Sequence, residues 1–436
     1  EGINNAAGKN VEVEFAKGCH THKFLPSIPN ELLKGGKGFE VEFYDGQEFE
    51  GSPIETRNLT GGKFWALGGF GLDIVSKSKK PSLSVRFSGT LKPEVSGEYD
   101  FEIFSIGPSK LSIDDEDLID NWSSQEPGDT FFSMGSKPRR GQKTLESGKE
   151  YSIQVEYKWE GRFPAVQIGM LAPDDHDLME AAVDLAKESD ATILIVGTNS
   201  DWETEGNDRD SLLLPLKQNE LIEKVCAANK NTVVVLNTGS PCEMPWNDHA
   251  EAILQCWFPG QEFGNSLADI IFGNVNPSGK LPTTFPVTLQ DTPVYSTYPG
   301  KDLQMDYEEG LYIGYRWYER EKIIPLYPFG HGLSYTSFSY SDFRAIPPKG
   351  TSSVAAFEVE ITNTGDVEGK EVVQCYASVQ NSKIDRPLKE LKKFQKIKLA
   401  PGESKKITFE VNERDLSYWN VETKTWQVEP AQYIFE

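Results

Sequence analysis

The sequence predicts a multidomain chain that combines α/β and all-β parts. An α/β sandwich domain is interrupted by an inserted β-sandwich and followed by a second, smaller β-sandwich. Three observations lead there. At 436 residues the chain is too long for one ordinary domain. Period-two strand patterns fill residues 31–173 and 337–436, whereas residues 174–336 alternate helical stripes with short apolar runs. Residues 1–30 open on a helix tail and a strand, the grammar that resumes at 174, so the β module sits inside the α/β domain.

Taken in order, residues 1–7 read as the end of a helix, and residues 11–17, Val-Glu-Val-Glu-Phe-Ala-Lys, alternate as a strand. With neither an initiator Met nor a signal peptide, this opening is expected to belong to a fragment or processed product of a longer protein. Strands are expected at 83–91, 99–104, 111–113, 151–157 and 165–171, a spacing that suits a β-sandwich. Asp174, Asp175 and Asp177 suit a helix N-terminus through the macrodipole. Leu178, Ala181, Ala182, Leu185 and Ala186 then form one apolar stripe. A strand at 191–197, a helix near 217–229, strands at 232–236 and 252–256 and a helix near 261–272 follow. Strands apolar on both faces between helices imply a mostly parallel sheet covered on both sides. Beyond 337, strands at 354–361, 371–377 and 406–411 alternate with turns at 363–366 and 401–402.

A net charge of −23 disfavours nucleic acid and anionic membrane surfaces as partners. No apolar run approaches the length of a membrane span. Five scattered cysteines form neither a disulfide framework nor a zinc site, and a cytoplasmic location is expected over a secreted one. Asn58 and Asn121 head sequons of the kind that arise by chance at this length. His20 and His22 lack a third ligand at metal spacing, so neither a metal nor a cofactor is expected. A Gly-x-Ser-x-Gly elbow is absent, and Gly35-Gly-Lys-Gly38 lacks the helix that would make it a phosphate loop.

The segment 201–209, Asp-Trp-Glu-Thr-Glu-Gly-Asn-Asp-Arg, places five ionisable side chains in nine positions directly after the strand at 191–197. Ligand sites of open α/β sheets lie outside the carboxyl ends of their strands. Glu205, next to Gly206 and near Trp202, has the composition of a general acid, and a solvated acidic loop is the alternative reading.

Longer passages then bring in a resemblance. Residues 257–265 (Trp-Phe-Pro-Gly-Gln-Glu-Phe-Gly-Asn), 276–286 (Asn-Pro-Ser-Gly-Lys-Leu-Pro-Thr-Thr-Phe-Pro), 307–318 and 325–338 resemble family 3 glycoside hydrolases, above all the fungal and yeast β-glucosidase subgroup. The resemblance covers essentially the whole chain. It implies that residues 31–173 are an inserted sandwich of the protective-antigen type and that residues 337–436 are a fibronectin type III-like domain. It further implies the C-terminal part of a retaining β-glucosidase acting on terminal β-glucosyl residues of short oligosaccharides and glucosides. The partner would be an N-terminal TIM-like barrel of the same enzyme, which supplies the nucleophilic Asp. The family's acid/base stands immediately before a Gly, which fits Glu205 and makes Glu203 the runner-up; the first Gly of that setting is Thr204 here. Such an acid needs a carboxyl pKa raised from about 4.3 toward about 6. Trp202 is assigned to substrate contact, with apolar cover and plain core as alternatives. Asp208 and Arg209 are expected to pair and shape the loop. The Asp-Asp pair that holds calcium in some domains of the inserted type is replaced by Ser105-Ile-Gly-Pro108, and Asp114-Asp115 is expected to open a turn instead. Two other readings stay open, a non-catalytic carbohydrate-binding module and a β-xylosidase of the same family. A homo-oligomer is compatible with the sequence.

Overall fold

Strict alternation builds the inserted module. The computed structural model describes residues 1–65, 74, 77–80, 82–160, 163–173, 178–350 and 352–436. Among the described residues, ten strands lie between residues 39 and 171: β1 Phe39–Asp45, β2 Glu55–Leu59, β3 Lys63–Trp65, β4 Ser82–Leu91, β5 Gly97–Ile106, β6 Ser109–Ile113, β7 Glu116–Asn121, β8 Arg139–Leu145, β9 Tyr151–Glu160 and β10 Ala165–Leu171. They form a six-stranded sheet, β2-β1-β4-β9-β6-β7, and a four-stranded sheet, β3-β10-β5-β8. Along β9, Tyr151, Ile153, Val155, Tyr157 and Trp159 all face inward. They share one core with Phe87 and Val41 of the first sheet and with Phe101 and Ile168 of the second. Asp114 and Asp115, both at positive φ (51° and 65°), are the two central residues of the β6–β7 hairpin, as expected of a primed turn. The chain enters and leaves this module side by side. The Leu25 amide donates to the buried Glu102 carboxylate at 2.8 Å, and the Met170 amide donates to the Pro26 carbonyl at 2.8 Å.

The α/β part opens on the short helix α1, Gly2–Ala6, and continues with α2 Leu178–Glu188, β11 Thr192–Gly197, α3 Gln218–Ala228, β12 Thr232–Asn237, β13 Ala252–Gln255, α4 Phe263–Ile271 and α5 Tyr315–Glu321. Strands β11, β12 and β13 form a parallel sheet with Ile193 opposite Val233 and Val234 opposite Ile253. Helix α1 packs so closely on α4 that a Cβ at Gly2 would lie 2.2 Å from the Gly264 carbonyl carbon.

Three expectations need correction. Residues 11–17 are not a strand: no ladder joins them to the described residues, and Phe15 is 88% exposed. Period two predicts one apolar face but cannot say what covers it. The buried stripe of α2 is rotated from the expected one. Met179 and Ala186 are its buried residues, Ala182 and Val183 pack with them against Leu221 and Val225, and Ala181 is exposed. The sheet is also less covered than its composition implies, since Ile195 on β11 is 47% exposed. The acidic residues expected at the start of α2, Asp174, Asp175 and Asp177, lie outside the described residues.

The last part contains β14 Phe338–Ile346, β15 Ser353–Asn363, β16 Gly369–Gln380, β17 Glu390–Leu399, β18 Ser404–Asn412, β19 Ser417–Asn420, β20 Thr425–Val428 and β21 Gln432–Phe435. Sheets β14-β15-β18 and β17-β16-β21 enclose a core that includes Ile361, Cys375, Leu399 and Ile407. Trp419 and Trp426 face each other across the β19–β20 hairpin, ring centroids 5.4 Å apart, with the Arg414 guanidinium 3.2 Å from the Trp426 centroid. None of the five cysteines is in a disulfide.

Candidate active site

The carboxyl ends of β11 and β12 carry the loop that the sequence singled out. Beyond β11 the Thr198 amide donates to the Asn237 carbonyl at 3.0 Å, so the two strand ends stay in register. The amides of Trp202 and Glu203 then donate back to the Asn199 carbonyl at 3.0 and 2.9 Å and turn the chain. A bridge between Thr204 and Asn207 follows, which leaves Glu205 and Gly206 as the two residues at the tip of a tight turn. Gly206 has φ +83°, the value the third position of a type II turn requires. Glu205 is exposed at that tip.

The turn opens into a cleft of about 510 Å³ lined by Trp202 to Glu205, Asn207 to Arg209, Leu212, Ser240 and Tyr298. Glu203, on the wall of the same cleft, is held by a fixed set of donors. Its carboxylate accepts from the Thr198 hydroxyl and from the Gly239 amide at 3.1 Å, and Arg209 Nη1 stands 3.6 Å away. Beneath this cluster the Cys242 thiol is buried, and desolvation pushes its pKa up to about 12.

Arg209 therefore pairs with Glu203 and not with Asp208, contrary to expectation. The same Nη1 donates to the Ser240 hydroxyl at 3.1 Å, and Nη2 donates to the Leu213 carbonyl at 3.0 Å. Asp208 accepts instead from the Tyr298 hydroxyl, and that bond raises the tyrosine pKa. The two residues thus bond to different partners rather than to each other. Trp202 gives its indole N–H to the Thr21 carbonyl at 2.8 Å, between His20 and His22, and the Lys23 ammonium lies 5.9 Å from its ring. The histidine rings are 5.9 Å apart, and burial holds the His22 pKa low.

The inserted module reaches the same loop. Asn207 Nδ2 donates to the Asp129 carbonyl at 2.8 Å, Ser133 donates to Asn207 Oδ1 at 3.3 Å, and Lys23 pairs with the Asp129 carboxylate at 2.9 Å. Phe131, Phe132 and Ser133 all hold positive φ, and Phe132 lies beside Gly206. Sequence reasoning missed Thr198, Gly239, Ser240, Tyr298, Asn207 and Asp129. All but Asn207 lie outside the 201–209 segment, and Asn207 finds its partner in the insert, 78 residues away, so no local pattern marks them.

Where a calcium-binding Asp-Asp pair was sought, the Ser105 and Ser109 hydroxyls lie 2.7 Å apart and Asn121 Nδ2 reaches both, at 3.1 and 2.9 Å. Two hydroxyls and an amide, with no carboxylate among them, do not fit a hard cation that seeks carboxylates.

Comparison with known proteins agrees with this architecture. Residues 103–335 match the glycosyl hydrolase family 3 C-terminal domain, and residues 371–436 match a fibronectin type III-like domain. A β-glucosidase of Rhizobium radiobacter is 35% identical over 444 residues, covering 99% of this chain and 53% of its own length. A β-glucosidase of Kluyveromyces marxianus is 37% identical over 458 residues, covering 100% and 53%. The crystal structure of a β-glucosidase from Kluyveromyces marxianus in complex with glucose aligns with a TM-score of 0.89 at 35% identity, covering 100% of this chain and 53% of that one. The chain thus spans about half the length of the relatives it matches. It belongs to glycosyl hydrolase family 3, of which it carries the C-terminal domain and a fibronectin type III-like sandwich.

Proposed function

We propose that this chain is the C-terminal part of a retaining β-glucosidase and that Glu205 is its general acid/base. The observation that carries the reading is the division of labour between two carboxylates. Glu203 is engaged by three partners, whereas Glu205 stands exposed at the tip of a glycine turn in the cleft. A retaining glycosidase needs a second carboxyl about 5–5.5 Å from the first as nucleophile. We assign it to an Asp of an N-terminal TIM-like barrel, the half of the enzyme by which the matched relatives exceed this chain. That barrel would close over the exposed tip and supply the desolvation that keeps the acid protonated. Terminal β-glucosyl residues of short oligosaccharides and glucosides are the proposed substrates, in keeping with the relatives' names. Trp202 is the proposed apolar wall of the cleft, its N–H already occupied by Thr21. The insert's turn at 129–133 would wall the other side and restrict the length of substrate; removing 31–173 from the complete enzyme should then broaden activity toward longer oligosaccharides.

The test is turnover of a chromogenic β-glucoside by the complete enzyme. Glu205→Ala should lose about 10²–10⁴-fold in rate, and added azide should restore part of it. Rescue of Glu203→Ala in place of Glu205→Ala would overturn the assignment.

A further inference from the structure

We infer that Glu203 is a positioning residue that fixes where the Glu205 turn stands relative to the sheet. The inference rests on Glu205 being the acid/base. Glu203 lies one residue before the Thr204–Asn207 bridge, at the foot of the turn. Its carboxylate spans two parallel strands: Thr198 follows the end of β11, and Gly239 follows the end of β12. Arg209, on the far side of the turn, closes the set and is itself held by Ser240 and Leu213. One carboxylate therefore ties the incoming limb of the turn to both strand ends and to its outgoing limb.

The surroundings leave this side chain little freedom. Glu203 and Arg209 side chains are 16% and 13% exposed. A Cβ at Gly239 would stand 2.4 Å from Glu203 Oε2 and 2.7 Å from the Phe258 ring, so the carboxylate is held by shape as well as by hydrogen bonds. Charge-assisted hydrogen bonds are about twice as strong as neutral ones. Removing the carboxylate also leaves Arg209 without its anionic partner in a mostly covered site. The expected result is a turn that still forms, because Gly206 and the Thr204–Asn207 bridge are intact, but that wanders over the strand ends. Misplacing a proton donor by about 1 Å can cost about 10²-fold in rate.

In the complete enzyme, Glu203→Ala should lower kcat about 10²-fold on an aryl β-glucoside, with KM little changed, and should lower the melting temperature because Arg209 loses its anionic partner. Glu203→Gln should recover part of the loss, because its carbonyl still accepts from Thr198 and Gly239. Azide should leave Glu203→Ala unchanged while it restores Glu205→Ala. Thr198→Val, which deletes one donor and leaves the carboxylate, should lower kcat less, and it decides the matter if Glu203→Ala fails to fold. If Glu203→Ala and Thr198→Val both keep the parental kcat while azide still rescues Glu205→Ala, the positioning role is wrong and the acid/base stands. If azide rescues Glu203→Ala instead, the acid/base assignment falls and this inference with it.

Discussion

The inserted sandwich and the α/β sheet differ in closure. The two sheets of the insert bury each other's inner faces, with Phe87, Phe101, Val155 and Ile168 all inaccessible to solvent. The α/β sheet uses equally apolar strands, yet β11 leaves Ile195 47% exposed and the alternating residues 11–17 leave Phe15 88% exposed. An apolar pattern says that a face is made for burial and does not name its cover. The insert carries its own cover, and we assign the cover of the α/β face to the proposed N-terminal half.

Four changes break or sharpen that contrast. Phe101→Ala should cost the insert about 3–5 kcal/mol, measured by denaturant unfolding; an equal loss in the α/β part would erase the distinction between them. Gly206→Ala should cost about 1–2 kcal/mol at the turn. The cause is backbone conformation alone, since the added Cβ would meet only Phe132, at 3.6 Å. Hydrogen exchange of the 201–209 amides reads that loss. The Cys242 thiol, raised from 9.0 to about 12, stays protonated in the folded chain at a pH where the unfolded chain loses its proton. Stability should therefore fall as pH rises from about 9 toward 12, by roughly 1.4 kcal/mol per pH unit from this group. A Cys242→Ala variant should show a shallower slope. Phe15→Ala should stay within about 0.5 kcal/mol in this chain and destabilise the complete enzyme by more. Equal effects in both would mean that residues 11–17 remain uncovered in the complete enzyme as well.

Much of the fold was legible because its signals are local. The alternation of β9 marks its inward face without reference to any other segment, and the 191–197, 232–236 and 252–256 runs became β11, β12 and β13 within a residue or two. The rotated stripe of α2 was harder, because Leu185 and Ala181 look as apolar as the Met179 and Val183 that pack on α3. At the candidate site the sequence singled out the loop that lines the cleft but not its wiring. Asp208 and Arg209 are neighbours in sequence, but each found its partner elsewhere in the fold. Arg209 reached Glu203, and Asp208 reached Tyr298, 90 residues on.

The Glu205 turn stands on two feet in two different modules. One foot, Glu203, is tied to the strand ends, and the other, Asn207, is tied to the Asp129 carbonyl of the insert. Chimeras between relatives that exchange the insert alone would thus sever one foot and shift the turn, although no residue of the loop had changed. A graft that keeps its function has to treat the 129–133 turn and Asn207 as one transplantable unit, with the seam placed where the chain enters and leaves the insert, beside Leu25 and Met170.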